Sequence, residues 1–349
     1  MNTESTGLRD GILIVAGVAI LLTLMRSSSE IIVPFLFSMF IAIVAATPLN
    51  WLKKQGLSTL VSVIIVVTIL VIVLALLALL LGNTAAQFNQ AMPTYQLRLE
   101  EVTSALAVSL EARGIKISEA GILNALDPGA VMDFANSMIV GIGSAQSNTF
   151  LILFTVIFML VDAAGFPRKL SAIDGQNAES TLQRLVEVVE SVNQYVVAKA
   201  IVSLATGVFI WIALALVGLD FAPLWGFLAF LLNFVPNIGS IIAAVPAVLM
   251  AILQLEPTMV LVVIAVYIFV NTVIGNVIEP MIMGQRVGLS TLAVFLSLVF
   301  WGWMFGPVGM LLSVPLSMVV KFAAQSSPQT QWIALLLSPA PESSESLSG

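Results

Sequence analysis

Neither cysteine nor histidine occurs among the 349 residues of this chain. Their absence excludes disulfide bonds, thiol nucleophiles, zinc sites built from Cys or His, and every histidine-based catalytic triad. The sequence also contains no carboxylate cluster with metal-ligand spacing, no GxxxxGK[ST] phosphate loop and no GxSxG nucleophile elbow. We therefore predict that the protein is not an enzyme and has no metal or other cofactor.

Charged residues are scarce as well. They make up 9% of the chain, against 59% hydrophobic residues and a mean hydropathy of +1.08, whereas a soluble domain has about 25% charged residues. Too few charges are available to cover a soluble surface, so the sequence predicts a polytopic membrane protein surrounded by lipid bilayer. The net charge of −6 and the absence of a basic stripe argue against a nucleic-acid partner.

Apolar runs long enough to cross a bilayer, about 20 residues each, recur along the chain. They predict an all-α fold with about six full spans, two re-entrant helical hairpins and a small extramembrane helical domain. The predicted spans are 11–26, 30–50, 59–82, 146–164, 193–218 and 258–283. The predicted domains are 1–82 (first three spans), 83–145 (extramembrane helices), 146–321 (transport core) and 322–349 (polar C-terminal tail).

The distribution of basic residues predicts the orientation in the membrane, because cytoplasmic loops attract Lys and Arg. With the N-terminus inside, Lys53, Lys54, Arg168 and Lys169 all lie on the cytoplasmic side. Both termini are then cytoplasmic. Residues 83–145 are too polar for insertion and are predicted to form short helices on the outer face.

Two apolar stretches, 222–255 and 289–321, are interrupted at their centres by proline, glycine and polar residues. The first interruption contains Asn233, Pro236, Asn237 and Gly239. The second contains Trp301, Gly302, Trp303, Gly306, Pro307 and Gly309. Proline removes a backbone donor and glycine permits a reversal, so we predict two hairpins that enter the membrane from opposite faces, with non-helical tips at 236–239 and 302–309.

The two asparagines at the first tip have two interpretations. Asn233 and Asn237 either coordinate a substrate or ion, or satisfy the backbone groups freed by the turn. Trp301 and Trp303 similarly either line a ligand cavity or anchor the hairpin at a membrane interface. Broken apolar segments in related positions indicate a transporter binding site, so we include these residues in the predicted pathway.

The span 258–283 ends with polar residues confined to one face. At 100° per residue, residues 271–283 of this span place Asn271, Asn276 and Glu279 within about 140° of arc. Ionisable groups inside a membrane usually face the bundle interior and are candidates for function. The alternative for the asparagines is interhelical hydrogen bonding.

Glu279 has a competing structural interpretation. Arg286 follows two turns later and would pair with it at the helix end. Pro280 is predicted to free the carbonyl of Asn276, four residues earlier, which would place a carboxylate and a free carbonyl together. Lys199, at the start of an earlier span, is predicted to snorkel to the interface.

Several long motifs resemble those of the autoinducer-2 exporter family of bacterial membrane proteins. They are EIIVPFLFSMFIA (30–42), FVPNIGSIIAAVP (234–246), GNVIEPMIMGQRVGLSTL (275–292) and FLSLVFWGWMFGPVGMLLSVPL (295–316). The resemblance covers nearly the whole chain in order and spacing. The motifs include both predicted hairpin tips and the polar face of the 258–283 helix.

The resemblance implies a secondary transporter that exports a small polar quorum-sensing signal of the autoinducer-2 type, with H⁺ or Na⁺ as the coupling ion. Some relatives are described as sodium/proton antiporters, which would make Glu279 the titrating group. The family also implies a multi-pass protein of the bacterial inner membrane and a homo-oligomer such as a pentamer. A non-transporting membrane scaffold is a third possibility, although a scaffold has no need of broken intramembrane helices.

Overall fold

The computed structural model describes residues 3–112, 149–162, 178–236, 238–283 and 288–339. Every regular element in these ranges is a helix, in agreement with the predicted all-α class. The predicted site residues Asn237 and Arg286 lie outside the described residues, as does the second part of the predicted extramembrane domain.

The helices follow one another in chain order. They are α1 (Thr3–Ser27), α2 (Ser29–Lys54), α3 (Thr59–Glu111), α4 (Thr149–Asp162), α5 (Ala178–Val217), α6 (Ala222–Leu232), α7 (Gly239–Gln254), α8 (Pro257–Val270), the π-helix π1 (Asn271–Ile278), α9 (Glu279–Met283), α10 (Thr291–Leu311), α11 (Ser313–Gln325) and α12 (Gln331–Leu337).

Five helical stretches in the described ranges are long and apolar enough to cross a membrane. They are Ser29–Lys54, Thr59–Phe88, Val186–Val217, Pro257–Ile282 and Thr291–Leu311. The first four coincide with predicted spans. The fifth is not one straight helix, because Gly306 interrupts it with φ 64° and ψ −146°. Large apolar side chains, such as Leu216 and Phe150, face outward from the helices, as a lipid environment requires.

Helix α3 continues well beyond its apolar part. Its 53 residues correspond to about 80 Å, against about 30 Å for the hydrocarbon core. The prediction of short helices beginning at residue 83 is therefore wrong for 83–111, which extend the same helix through Pro93. The physical reason is tertiary packing, which usually contributes more to a helix than intrinsic propensity does.

That packing involves a segment we call the α3 arm, residues 88–99. The ring of Phe221, just before α6, lies 5.5 Å from the ring of Phe88 and 6.3 Å from that of Tyr95. The Tyr95 hydroxyl donates a hydrogen bond to Asp220 (2.6 Å), and Arg98 donates one to the carbonyl of Gln254 (3.0 Å). The arm thus binds the start of α6 and the end of α7 together.

We expect Tyr95→Phe to destabilise the protein by about 1 kcal/mol, the typical net value of one hydrogen bond. Burial, followed by the bond to Asp220, raises the pKa of Tyr95. The folded protein therefore favours the neutral phenol, and this stabilisation is complete below about pH 10 and lost as the pH rises further. The natural protein and Tyr95→Phe are compared by thermal unfolding from about pH 8 to about pH 11. The difference in stability between them should decrease as the pH rises. An unchanged difference across that range would contradict the assignment.

Helices α6 and α7 form a helical hairpin, hairpin 1. The side chain of Gln254 accepts from the amide of Asp220 (2.8 Å) and donates to the carbonyl of Gly218 (3.0 Å), so the two open ends meet. Helix α6 ends at Leu232 and α7 begins at Gly239, and the described residues between them, 233–236 and 238, belong to the turn. The predicted break at 236–239 is therefore present, shifted slightly towards the N-terminus.

Hairpin 2 consists of residues 291–305 and 307–325, which reverse direction at Gly306. The Trp301 indole donates to the Ser317 hydroxyl (2.9 Å), which in turn donates to Ser297 (2.6 Å). Lys321 donates to the carbonyl of Gly288, again joining the two ends. The prediction of a non-helical stretch over 302–309 is too wide, since the conformational break inside α10 is at Gly306.

The tips of the two hairpins meet. Phe234 from hairpin 1 shares one buried apolar cluster with Val308, Leu311 and Leu312 from hairpin 2. The ring of Phe40, near the middle of α2, contacts Phe234 edge-on at 5.7 Å. Both tips therefore lie level with the middle of a membrane-length helix.

Candidate functional site

Helix α5 carries polar side chains on its buried face. Lys199, Ser203 and Thr206 follow the i, i+4, i+7 spacing of one helix face, and their exposed fractions are only 3%, 0% and 4%. Hairpin 1 approaches α5 closely, because a Cβ added at Gly207 would lie 2.7 Å from the carbonyl oxygen of Gly226. This glycine contact packs α6 of hairpin 1 closely against α5, next to its polar face.

Lys199 forms an ion pair with Glu279, in which its ammonium donates to one carboxylate oxygen. Helices α5 and α8 run antiparallel, as shown by the ring contact between Phe209 and Phe269 at 6.1 Å, ten residues from each member of the pair. The predicted snorkelling of Lys199 is therefore wrong. A charged residue inside an apolar segment usually pairs with another one, and that signal was available in the sequence.

Burial makes this pair energetically important. A single charge near the centre of a membrane helix costs about 2.5–3.5 kcal/mol on insertion scales. Removing one member of a buried pair leaves the other uncompensated, at a cost of about 3–5 kcal/mol. The two members are unequally enclosed, since the side chain of Lys199 is 4% exposed and that of Glu279 is 22% exposed.

Asn233, at the tip of hairpin 1, extends its side chain to α5. Its amide nitrogen donates to the hydroxyl of Ser203 at 3.0 Å, and both residues are buried. In the alternative interpretation, the amide would bond to backbone groups of its own turn, whereas here its nitrogen donates to a side chain of another helix. Ser203 is one turn, about 6 Å, from Lys199, so the amide–hydroxyl pair and the ion pair are neighbours along α5.

The polar end of the 258–283 helix is a π-helix rather than the predicted α-helix. The amide of Glu279 bonds to the carbonyl of Ile274, five residues earlier. This register adds a residue to each turn, so the 100° wheel does not apply there. Asn276 is exposed while Glu279 is partly buried. In the same five-residue register, a backbone amide at position 280 would have bonded to the carbonyl of Gly275. The prediction that Pro280 frees the carbonyl of Asn276 is therefore not supported.

The other predicted pathway residues occupy varied positions. Asn271 is partly buried at the start of π1, and Pro236 is partly buried in the turn of hairpin 1. Trp301 connects the two halves of hairpin 2. Trp303 is 51% exposed, and the Arg26 guanidinium lies 4.5 Å above its ring. The tryptophans therefore contact hairpin 2 and α1, rather than the ion pair.

Chemically, the site combines an ammonium, a carboxylate, an amide and a hydroxyl where two helical hairpins meet. These groups can donate to and accept from hydroxyls, and the carboxylate can bind a cation. Segments of π-helix are frequent at functional sites, and π1 places Glu279 against α5.

Residues 12–329 match a family model described as "AI-2E family transporter". The chain is 37% identical over 319 residues to "AI-2 transport protein TqsA" of Escherichia coli, covering 91% of this chain and 92% of that protein. It is 38% identical over 328 residues to a "Putative transport protein" of Haemophilus influenzae, covering 93% and 94%. It is also 35% identical to "Putative transport protein YhhT" of Escherichia coli, over 93% of each chain.

Proposed function

Because this chain belongs to the AI-2E transporter family, we propose that it is a secondary transporter that exports a small polar signalling molecule of the autoinducer-2 type. The observation that carries the proposal is the buried Lys199–Glu279 pair beside Asn233, at the meeting point of two helical hairpins. Discontinuous helices that meet near the midplane are the usual binding-site architecture of secondary transporters.

The chemistry of the site suits a compact molecule rich in hydroxyl groups. A hydroxyl can donate to the Glu279 carboxylate and accept from the Lys199 ammonium or the Asn233 amide. The apolar cluster formed by the hairpin tips would enclose the rest of the ligand, as is typical of small-molecule sites with few polar anchors. A charged clamp of several cations is not needed for such a substrate.

The hairpins are proposed to be re-entrant, with hairpin 1 entering from outside and hairpin 2 from the cytoplasm. This is supported by length, since α6 has 11 residues, about 16 Å, against a hydrocarbon core of about 30 Å. Its open end contacts the α3 arm, which lies beyond the apolar part of α3. Both termini are proposed to be cytoplasmic in the inner membrane, and the protein a homo-oligomer such as a pentamer.

Transport against a substrate gradient needs an energy source, which we propose is an H⁺ or Na⁺ gradient. Sodium/proton antiport is the second candidate function, and the observation that favours it is the partly exposed carboxylate of Glu279 in a buried ion pair. A non-transporting scaffold is disfavoured, because it would have no use for a buried ion pair at the point where two hairpins meet.

Flux measurements in proteoliposomes separate these functions. The purified protein is expected to move a labelled furanone-type signalling molecule faster than protein-free liposomes, and to do so under an imposed H⁺ or Na⁺ gradient. Sodium/proton exchange without substrate flux would support antiport instead. Absence of both fluxes, in protein that remains folded and assembled, would reject transport.

Asn233→Leu keeps a similar volume and removes the amide. We expect substrate flux to fall roughly tenfold, because one lost hydrogen bond is worth about 1–1.5 kcal/mol. Ser203→Ala is the matched control, since it removes the partner of Asn233 and leaves the amide in place. If both variants lose the same amount of flux, the amide serves packing between hairpin 1 and α5 and does not contact substrate.

A further inference from the structure

We propose that Lys199 is a tethered cation that Na⁺ displaces from Glu279, and that each displacement releases one proton from the Lys199 ammonium. The pair would then be the ion-coupling site of the transporter. This inference rests on the proposed transport function, because it assigns the coupling step to particular atoms. It starts from the unequal enclosure of the two side chains and from Pro280, two residues beyond the end of π1.

The enclosure of the pair determines which partner an ion can reach. Lys199 is surrounded by protein on α5, whereas the Glu279 side chain keeps about a fifth of its surface exposed. A cation that reaches the open side of the carboxylate can therefore bind to it without displacing the surroundings of the lysine. Tyr195, one turn before Lys199, is a further titratable side chain within electrostatic range of Glu279.

The charge balance determines what must leave when an ion arrives. The resting pair, an ammonium and a carboxylate, has no net charge. Sodium bound to the carboxylate beside a second positive charge would leave the site with a net charge, which the membrane interior disfavours. If the ammonium transfers its proton to water and keeps the electron pair on nitrogen, the site holds Na⁺, a carboxylate and a neutral amine, and is again neutral.

The helix geometry allows Glu279 to part from Lys199. Glu279 ends π1 and begins α9, which has only five residues, and Pro280 cannot donate a backbone hydrogen bond. If one backbone amide of π1 bonded to the carbonyl four residues earlier instead of five, the side chains that follow it would rotate about the helix axis by about 100°. A modest change in π1 can therefore exchange the ammonium for a bound cation.

The test measures ion binding on the intact purified protein, in detergent and without substrate. Sodium chloride is compared with choline chloride at equal ionic strength, and released protons are followed with a pH dye in weak buffer. We expect the natural protein to release about one proton for each Na⁺ bound, as the neutral-site argument requires. Glu279→Gln is expected to show neither Na⁺ binding nor proton release.

Lys199→Gln removes the tethered cation and leaves the carboxylate. It is expected to bind Na⁺ about tenfold more tightly or better, because the competing charge is gone, and to release no proton. Its thermal unfolding temperature should rise with NaCl and not with choline chloride. Lys321→Gln is the matched control, because Lys321 is a partly buried lysine bound to the carbonyl of Gly288, and this variant should behave like the natural protein.

A purely structural ion pair gives a different pattern, which would overturn the proposal. Both single variants would then be destabilised equally in the two salts, and the double variant Lys199→Gln/Glu279→Gln would regain stability. Absence of Na⁺-linked proton release in the natural protein would also overturn it, even if Lys199→Gln fails to fold. Proton release without furanone flux would instead reject the proposed substrate and leave the coupling site standing.

Discussion

Gly239→Ala is expected to prevent hairpin 1 from closing and to reduce transport to the level of protein-free liposomes. A Cβ on residue 239 would lie 1.7 Å from the carbonyl oxygen of Leu232. Both atoms are held by backbone, so no flexible side chain can move aside. Overpacking typically costs roughly 1–3 kcal/mol, and the destabilisation here should reach or exceed the upper end of that range. The tip of hairpin 1, which carries Asn233, should then no longer pack beside α5.

Gly82→Ala is the matched control for this substitution. Gly82 lies within α3, and a Cβ there would meet nothing within 4 Å, so alanine should stabilise the helix by roughly 0.5–1 kcal/mol. The two variants are compared by thermal unfolding and by flux in proteoliposomes. A Gly239→Ala protein with the stability and flux of the natural one would mean that hairpin 1 does not pack as described.

The turn motifs of the two hairpins share a pattern that has a structural counterpart. FVPNIG and FGPVG both run from phenylalanine through proline to glycine. In each hairpin that final glycine faces a carbonyl of the opposite segment, Gly239 facing Leu232 and Gly309 facing Trp301, with Cβ positions 1.7 and 2.0 Å from oxygen. Proline and glycine act locally, so their pattern marks the turns without knowledge of the rest of the fold.

The exact extent of a break is less predictable, because glycine has more than one structural role. Of the glycines in hairpin 2, Gly306 adopts a positive φ, while Gly302 and Gly309 permit close packing on Met310 and Trp301. A sequence pattern does not distinguish these two uses. The predicted non-helical region of 302–309 was too wide for this reason.

The sequence signals that Lys199 is paired, but the identity of its partner required information that no local pattern contains. Lys199 and Glu279 are 80 positions apart, and their contact depends on the antiparallel register of α5 against α8. The π-helical register of Asn271–Ile278 is likewise set by tertiary packing, since its apolar and polar residues also fit an α-helical wheel. The sequence therefore predicted Glu279 as a candidate but did not identify Lys199 as its partner. Arg286, the partner considered from the sequence, lies outside the described residues.

Glu279→Gln is expected to remove gradient-driven transport while leaving the protein assembled. Glutamine keeps the shape and hydrogen-bonding capacity of the side chain and removes its charge. The remaining Lys199 ammonium would be uncompensated at a cost of about 3–5 kcal/mol, and it avoids most of that cost by losing its proton. A neutral amine and an amide can then form an ordinary hydrogen bond, so the helices stay packed while the site can no longer hold a cation.

The measurement is substrate flux as a function of the imposed H⁺ and Na⁺ gradients, with assembly checked by gel filtration. Glu256→Gln is the matched control, because Glu256 lies at the other end of the same helix and its side chain makes no capping hydrogen bond. We expect the control to retain gradient-dependent flux and Glu279→Gln to lose it. If Glu279→Gln transports normally while Arg286→Gln fails to assemble, the acid is not the working group. The binding site would then centre on Asn233 and Ser203, whose hydrogen bond does not involve Glu279.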